Sequence, residues 1–296
     1  MGTYVVGDIH GCYDEWIKLK NRIESQDSEA RFVLIGDIVD RGPKVLEMLH
    51  WAMENITDGG KYQMILGNHE DMLIEWGKHY LRDSNRTSEY GFDVLVKNAG
   101  YSNEKIKEII VFFEQLPVAM DLNIETGKAR GKQHYIIVHA AIDRWMLNKD
   151  ESVCKRKLRF SKQWDIVRYM NVKRNRKCVL WDRYEGDYSL LRRSVVIHGH
   201  TPTLPKGKAN FHYCNINIDC GCVFKRYKNH NLCALRLEDL EEFYLYDLKG
   251  KLTTDEQSIR EEMKNYIKGK GKRKLPKVDL AEMEALVEAL FSDCKE

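Results

Sequence analysis

Arg31-Phe32-Val33-Leu34-Ile35-Gly36-Asp37-Ile38-Val39-Asp40-Arg41-Gly42-Pro43 is the stretch from which the rest of the chain can be read. Its first five residues are a short run rich in β-formers, the pattern of a buried strand. Gly36 then turns the backbone, and Asp37, Asp40 and Arg41 follow in quick succession. Gly42-Pro43 breaks the turn, and Pro43 suits the first position of a helix running on through Val45, Leu46, Leu49 and Met53. Charged groups at the mouth of a buried strand are costly unless something binds there. A metal would take the carboxylates and an anion the guanidinium.

The same grammar recurs along the chain. Thr3-Tyr4-Val5-Val6 runs into Gly7-Asp8-Ile9-His10-Gly11, and Tyr62-Gln63-Met64-Ile65-Leu66 into Gly67-Asn68-His69-Glu70. Tyr135-Ile136-Ile137-Val138 ends in His139-Ala140, and Val195-Val196-Ile197 in His198-Gly199-His200-Thr201. These strands deliver Asp, Asn or His at their C-terminal ends, where sheets of α/β proteins place ligands. A single such end would mean little, but the repetition makes chance a poor explanation.

A chain of 296 residues suits one large domain, or one domain with an appendage. Its 43% hydrophobic content is enough for a sizeable core. The net charge of +3 favours neither a nucleic acid nor a membrane partner. No apolar run has membrane-spanning length and no signal segment precedes the first strand, so a cytoplasmic protein is expected. The eight cysteines are too irregularly spaced for a secreted disulfide framework, and Cys220-Gly221-Cys222 reads as small residues in a turn.

Trp16, Leu19 and Ile23 predict a helix after the first metal-type turn, Asp71 to Trp76 a further helix, and Lys105 to Gln115 another that Leu116-Pro117 stops. Trp16, Trp51 and Trp76 belong to the core by this spacing. Asp83 to Gly100 is polar and irregular, and a surface excursion is expected there. Asn148 to Lys177 is basic, either a solvated helical face or a surface for an acidic partner. Strands at Ile216 to Asp219, Leu232 to Leu237 and Phe243 to Tyr246 follow without helices between them. They predict an antiparallel meander, and with it two packed sheets with helices outside. Residues 1–250 form the expected catalytic domain, and 251–296 a charged linker with a helical appendage over Val278 to Phe291.

Asp8, His10, Asp37, Asn68, His139 and His200 make an oxygen-and-nitrogen ligand set without thiolate. That mixture suits Mn, Fe or Zn rather than a Cys-rich structural zinc site. The ligands are too many for one four-coordinate ion and about enough for two that share a carboxylate. Such a pair clamps the attacking and leaving oxygens of a displacement at phosphorus and makes hydroxide available near neutral pH. Arg41 and Arg183 would hold the phosphate oxygens. His198 alternates away from His200 and is expected to be structural or to support a ligand.

In this order, Gly7-Asp8-Ile9-His10-Gly11, Gly36-Asp37-Ile38-Val39-Asp40-Arg41-Gly42 and Gly67-Asn68-His69-Glu70 resemble the signature of the phosphoprotein phosphatase (PPP) branch of the calcineurin-like metallophosphoesterases. His139-Ala140 and Gly199-His200-Thr201 resemble its bacterial and phage-type members, and the similarity extends to about Leu237. The resemblance implies an α/β class fold, a four-layer α/β/β/α sandwich of two mixed sheets. It implies two divalent ions, Mn first with Fe or Zn as alternatives. Asp8, His10 and the bridging Asp37 would hold one, and Asp37, Asn68, His139 and His200 the other. His69 would be the general acid oriented by Asp40, with Arg41, Asn68 and Arg183 binding phosphate. Ala141 departs from the family's usual glycine, and Arg183 is placed only through Leu180-Trp181-Asp182-Arg183.

The expected activity is that of a metal-dependent phosphomonoesterase acting on phosphoserine or phosphothreonine in proteins. Dinucleoside polyphosphate hydrolases are a sister group, which usually carries Ala where Asp40 stands and Asp where Glu70 stands. An RNA or nucleotide phosphatase is a further rival, for which the basic segment is the only pointer. A metal-binding scaffold without activity would lack a ligand or the acid, and every one is present.

Overall fold

Strands buried on both faces read as continuous apolar runs, and here alternate residues of each run enter different cores. The computed structural model describes residues 1–127, 131–142, 167–168, 170–171, 177–183, 194–212, 214–248 and 252–270. In chain order the elements are β1 (Thr3–Val6), α1 (Tyr13–Gln26), β2 (Arg31–Leu34), α2 (Val45–Asn55), β3 (Tyr62–Met64), α3 (Asn68–Tyr80), α4 (Phe92–Asn98) and α5 (Asn103–Gln115). There follow β4 (Ala119–Ile124), β5 (Gln133–Val138), the single turn α6 (Lys177–Leu180), β6 (Ser194–His198), β7 (Asn210–His212), β8 (Asn215–Asn217), β9 (Cys233–Arg236), β10 (Glu241–Tyr244) and α7 (Thr254–Ile267).

The strands make two five-stranded mixed sheets, ordered β10-β9-β1-β2-β3 and β4-β5-β6-β8-β7. β1, β2 and β3 run parallel in register Val5↔Val33 and Leu34↔Met64, and β5, β6 and β8 run parallel in the other sheet. Val5, Val33 and Ile35 from the first sheet share one buried cluster with Tyr135, Ile137, Val195 and Ile197 from the second. This is the core between the sheets. Their neighbours Tyr4, Val6, Phe32 and Leu34 point the other way and join Trp16, Leu19 and Ile23 of α1 and Met48, Leu49 and Ala52 of α2. Trp16 lies edge-on to Phe32 at 5.6 Å and to Trp51 at 5.1 Å, which fixes α1 across β2. The result is an α/β/β/α sandwich, and the parallel strands of both sheets end on the same side.

Four local expectations need correction. Leu232 to Leu237 does not continue a meander: β9 leaves the second sheet and pairs antiparallel with β1 in the first. β8 lies parallel beside β6, and its antiparallel neighbour is the unforeseen short strand β7. Pro43 is not the first helical residue, because α2 starts at Val45 with Lys44 as its cap. The 83–100 excursion contains α4, which buries Phe92 and Val96. Phe92, Leu95 and Val96 do keep helical spacing, but over only seven residues, which is easily missed beside the polar run before it.

α7 docks rather than trailing away. Thr253 and Glu256 cap it reciprocally at 3.2 and 2.9 Å, Met263 and Ile267 enter the core between the sheets, and Arg260 bonds Glu242 (2.7 Å) and the Ala209 carbonyl (2.7 Å). No helix among the described residues is long and apolar enough to cross a membrane. Most of the basic 148–177 segment, and all of the helix expected over 278–291, lie outside the described residues.

Candidate active site and metal centre

Apart from Arg183, which follows α6, each expected site residue stands at a strand end or on the first turn beyond it, and the backbone there is unusual. His10, Asp37, Asp40, Arg41 and His200 all have positive φ, between 46° and 71°. Residues other than glycine seldom adopt this region, and each such residue costs of order 1–3 kcal/mol. Neighbouring groups hold the strain in place. His10 N–H donates to the Asp37 carbonyl (2.8 Å) and Gly11 N–H to the Ile38 carbonyl (2.8 Å), lacing the first two turns together.

Glu70 locks the third turn onto the second. Its carboxylate is fully buried and accepts four backbone N–H groups, from Asp37 (2.7 Å), Ile38 (2.8 Å), Val39 (3.2 Å) and Gly67 (2.9 Å). Gly67 is required beside it, since a Cβ there would sit 2.3 Å from Asp37 Oδ1. α3 begins at Asn68, three residues ahead of the expected Asp71, so Asn68, His69 and Glu70 occupy its first turn. His69 N–H at that helix start donates to Asp37 Oδ1 at 3.0 Å. The motif Gly67-Asn68-His69-Glu70 is thus a helix start that grips the neighbouring strand end.

The structure brings five of the six expected ligands, His10, Asp37, Asn68, His139 and His200, together. Asp37 Oδ2 is 3.5 Å from His10 Nε2, 3.4 Å from His139 Nε2 and 3.9 Å from His69 Nε2. Asn68 Oδ1 faces His139 Nε2 at 2.8 Å and His200 Nδ1 at 2.9 Å. The donor atoms of His10, Asp37 and His69 lie within 4.8 Å of one another, as do those of Asp37, His139 and His200, so Asp37 belongs to both triads. Asp8 stands outside both. Its carboxylate receives the His200 N–H at 3.1 Å, and a Cβ on Gly199 would lie 2.2 Å from its Oδ1.

A cation fits this pocket by the chemistry of its donors. His139 Nδ1 contacts the Ile35 carbonyl (2.9 Å) and so carries a proton, which turns Nε2 toward two oxygens, of Asn68 and Asp37. A lone pair cannot face two acceptors, so that place calls for a proton or a metal ion. Although burial disfavours charge on His139, the Asp37 carboxylate overrides it and raises its pKa to about 10. His10 is likewise fixed by the Val39 carbonyl (3.0 Å), leaving Nε2 as an acceptor. In His10 burial wins and lowers the pKa to about 4, keeping the ring neutral as a ligand must be. His200 is lowered to about 3 by burial and by His139, and its Nε2 has no hydrogen-bond partner among the described residues. Burial raises the Asp37 carboxyl, but His139, His10 and His69 outweigh it and hold the pKa well below the usual range.

The remaining expected residues lie around this centre. His69 Nδ1 is 2.7 Å from Asp40 Oδ2, and its Nε2 meets Arg41 Nη2 at 2.9 Å. Arg41 Nη1 reaches His10 Nε2, also at 2.9 Å. Arg183 is exposed at the mouth, and its charge reaches His200. Aromatic rings frame the opening: Tyr90 lies 5.8 Å from His69, Trp181 6.3 Å from His200, and Phe224 5.8 Å from the Arg41 guanidinium. His198 is buried, with its backbone carbonyl taking the Ile218 N–H at 2.8 Å. Ala141 keeps an ordinary φ, so the site tolerates alanine there. Cys220 and Cys222 are buried free thiols in the Gly221 turn. Two residues carry more than their sequence setting indicates: Glu70 stands in the sequence as a family marker, and Asp219 as the last residue of an expected strand.

A double-sheet sandwich with a buried His/Asp/Asn cluster at its strand ends defines a metal-dependent phosphoesterase. Residues 1–232 match the model of the calcineurin-like phosphoesterase family, and the chain belongs to that family. It is 27% identical over 252 residues to the asymmetrical bis(5'-nucleosyl)-tetraphosphatase PrpE of Oceanobacillus iheyensis, covering 80% of this chain and 89% of the relative. The symmetrical bis(5'-nucleosyl)-tetraphosphatase of Cronobacter sakazakii is 41% identical over 74 residues, a quarter (25%) of each chain. A Saccharomyces cerevisiae protein serine/threonine phosphatase shares the fold, with a TM-score of 0.50 and 15% identity over 86% of this chain and 82% of that one.

Proposed function

We propose that this phosphoesterase is a metal-dependent phosphomonoesterase whose substrates are phosphoserine and phosphothreonine in proteins. The observation that supports it most is His69, which has the Asp40 carboxylate 2.7 Å behind it and the Arg41 guanidinium in front. A serine alkoxide is a poor leaving group and needs a proton as it departs. A histidine backed by a carboxylate and beside the phosphate-binding arginine is placed to give it.

Asp8, His10, Asp37, Asn68, His139 and His200 would hold two divalent ions, with Mn the first choice and Asp37 common to both. When bound, such a pair polarises the phosphoryl oxygens and lowers the pKa of a coordinated water. Arg41 and Arg183 orient the phosphate through bidentate donation. His69 protonates the departing oxygen, and Asp40 Oδ2, 2.7 Å from Nδ1, keeps the ring turned toward it. The buried walls exclude bulk water and strengthen each of these contacts.

Dinucleoside polyphosphate hydrolysis is the second reading. The relative at 27% identity over most of both chains favours it, as do the exposed Tyr90 and Trp181 rings, on which a nucleobase would stack. The two readings part in one turnover panel with Mn, Fe, Zn or Mg. A phosphoserine peptide, diadenosine tetraphosphate, a 5′-triphosphate RNA and an aryl phosphate are compared by kcat/KM. Protein phosphatase activity predicts the phosphopeptide well ahead of diadenosine tetraphosphate, and the reverse order would replace the first reading by the second.

A further inference from the structure

Ile216-Asn217-Ile218-Asp219-Cys220-Gly221 repeats the strand-then-Asp-then-Gly pattern of the other site turns. Asp219 stands two residues past the end of β8, as Asp8 does past β1 and His200 past β6. β8 is the parallel neighbour of β6, in register His198↔Asn217, so Asp219 issues beside His200. It also abuts the first sheet. A Cβ on Gly7 would lie 2.3 Å from the Ile218 carbonyl oxygen and 3.6 Å from Asp219 Cα, which leaves glycine as the residue that fits before Asp8.

The Asp219 side chain is held but not neutralised. It is 3% exposed. Oδ1 accepts the Gly221 N–H at 2.9 Å, the Asp219 N–H donates to Asn217 Oδ1 at 3.0 Å, and its carbonyl takes the Thr203 N–H at 2.9 Å. Oδ2 receives no hydrogen bond among the described residues. Asn in this position would make the same turn without a charge, so the turn alone does not explain a carboxylate. Burying an unpaired charge costs several kcal/mol, and Arg41, the nearby guanidinium, is already engaged with His10 and His69.

We propose that Asp219 is a positioning residue of the metal centre, a third buried carboxylate beside Asp8 and Asp37 whose charge retains the divalent ion on the Asp8–His10 side. An added oxygen charge favours a hard ion such as Mn or Mg over a softer one. The proposal rests on the metal-dependent reading of the site.

Asp219→Asn separates this role from a structural one because the two predict opposite signs. It keeps the Gly221 acceptor and removes only the charge. The metal-free variant should melt at the wild-type temperature or above it, since a buried repulsion is gone. Its affinity for Mn, measured by chelator competition and elemental analysis, should fall about 10–100-fold for one of two ions. The rise in melting temperature on adding Mn should shrink accordingly. Asp219→Ala, which also loses the turn, should melt lower without metal and bind Mn as weakly as Asp219→Asn. Wild-type Mn affinity in Asp219→Asn overturns the proposal, whatever its melting temperature. If the wild-type chain itself binds no Mn, the metal-dependent reading fails, and this proposal with it.

Discussion

The two sheets contribute to one site in different ways. On the first, the turns after β1, β2 and β3 are bonded to one another, and four of their residues, His10, Asp37, Asp40 and Arg41, sit at positive φ. Glu70 fastens two of these turns through four N–H groups. On the second, His139 follows β5 with ordinary backbone, and His200 alone among its expected ligands has positive φ. Gly199 N–H donates to the His139 carbonyl at 2.8 Å, joining these two ends. The first sheet is a strained platform that carries Asp37, His69 and Arg41, whereas the second brings His139 and His200 against it. Substitutions on the platform should therefore disturb both the fold and the site, and those on the second sheet only the site.

The largest effect is expected at the residue both triads share. Asp37→Asn removes the charge common to His10, His139 and His69, and should release both ions and abolish turnover, as read by elemental analysis and kinetics. Two tightly held ions in that variant would show that Asp37 is not the bridge. Glu70→Gln is the next most damaging change. Glutamine has one acceptor oxygen for four N–H donors and turns its own NH2 against two of them. Metal-free stability should drop by about 1–3 kcal/mol in denaturant melts, with weaker metal binding besides. An unchanged midpoint would mean that Glu70 does not fasten the platform.

His200→Asn probes the second sheet, with a side chain that tolerates positive φ. It should lose one ion yet leave the metal-free melting temperature close to wild type. A large fall in that temperature would erase the contrast between the sheets. The smallest effect belongs to the exposed Arg183. Arg183→Ala should lower kcat/KM about tenfold with metals and stability intact, and Arg183→Lys should recover only part, because a point charge lacks the planar fork. Kinetics identical to wild type would assign phosphate binding to Arg41 alone.

Much of the first sheet was legible because its motifs are contiguous: a strand, a glycine turn and the ligands lie within a few residues. His139 and His200 were legible from the same grammar, although each stands almost alone. The return of β9 to the first sheet was not, since the alternation of Cys233-Ala234-Leu235-Arg236 says that a strand has two faces but not which sheet it joins. The grip of Glu70 was hidden because its partners are backbone groups, which leave no mark in sequence. Asp219 carries a visible signal, an apolar run followed by Asp and then Gly, but the strands around it read as an antiparallel meander, a pattern that does not gather ligands at its strand ends. The place of Asp37 beyond β2, by contrast, is legible in the apolar run Phe32 to Ile35 followed by Gly36, whereas its position in both triads is visible only in the fold.

The most direct test of the account concerns the proton for the leaving group. His69→Asn should keep both ions and lose roughly 10²–10⁴-fold on a phosphoserine peptide, while an aryl phosphate, whose leaving group tolerates charge, loses far less. Asp40→Asn should follow the same pattern more weakly, because the ring loses the carboxylate 2.7 Å from Nδ1 that orients it. The decisive quantity is the ratio of the two kcat/KM losses in His69→Asn, measured on protein with a verified metal content. The account predicts a ratio well above ten in favour of the aryl phosphate; equal losses on the two substrates, or release of metal from the variant, would contradict it.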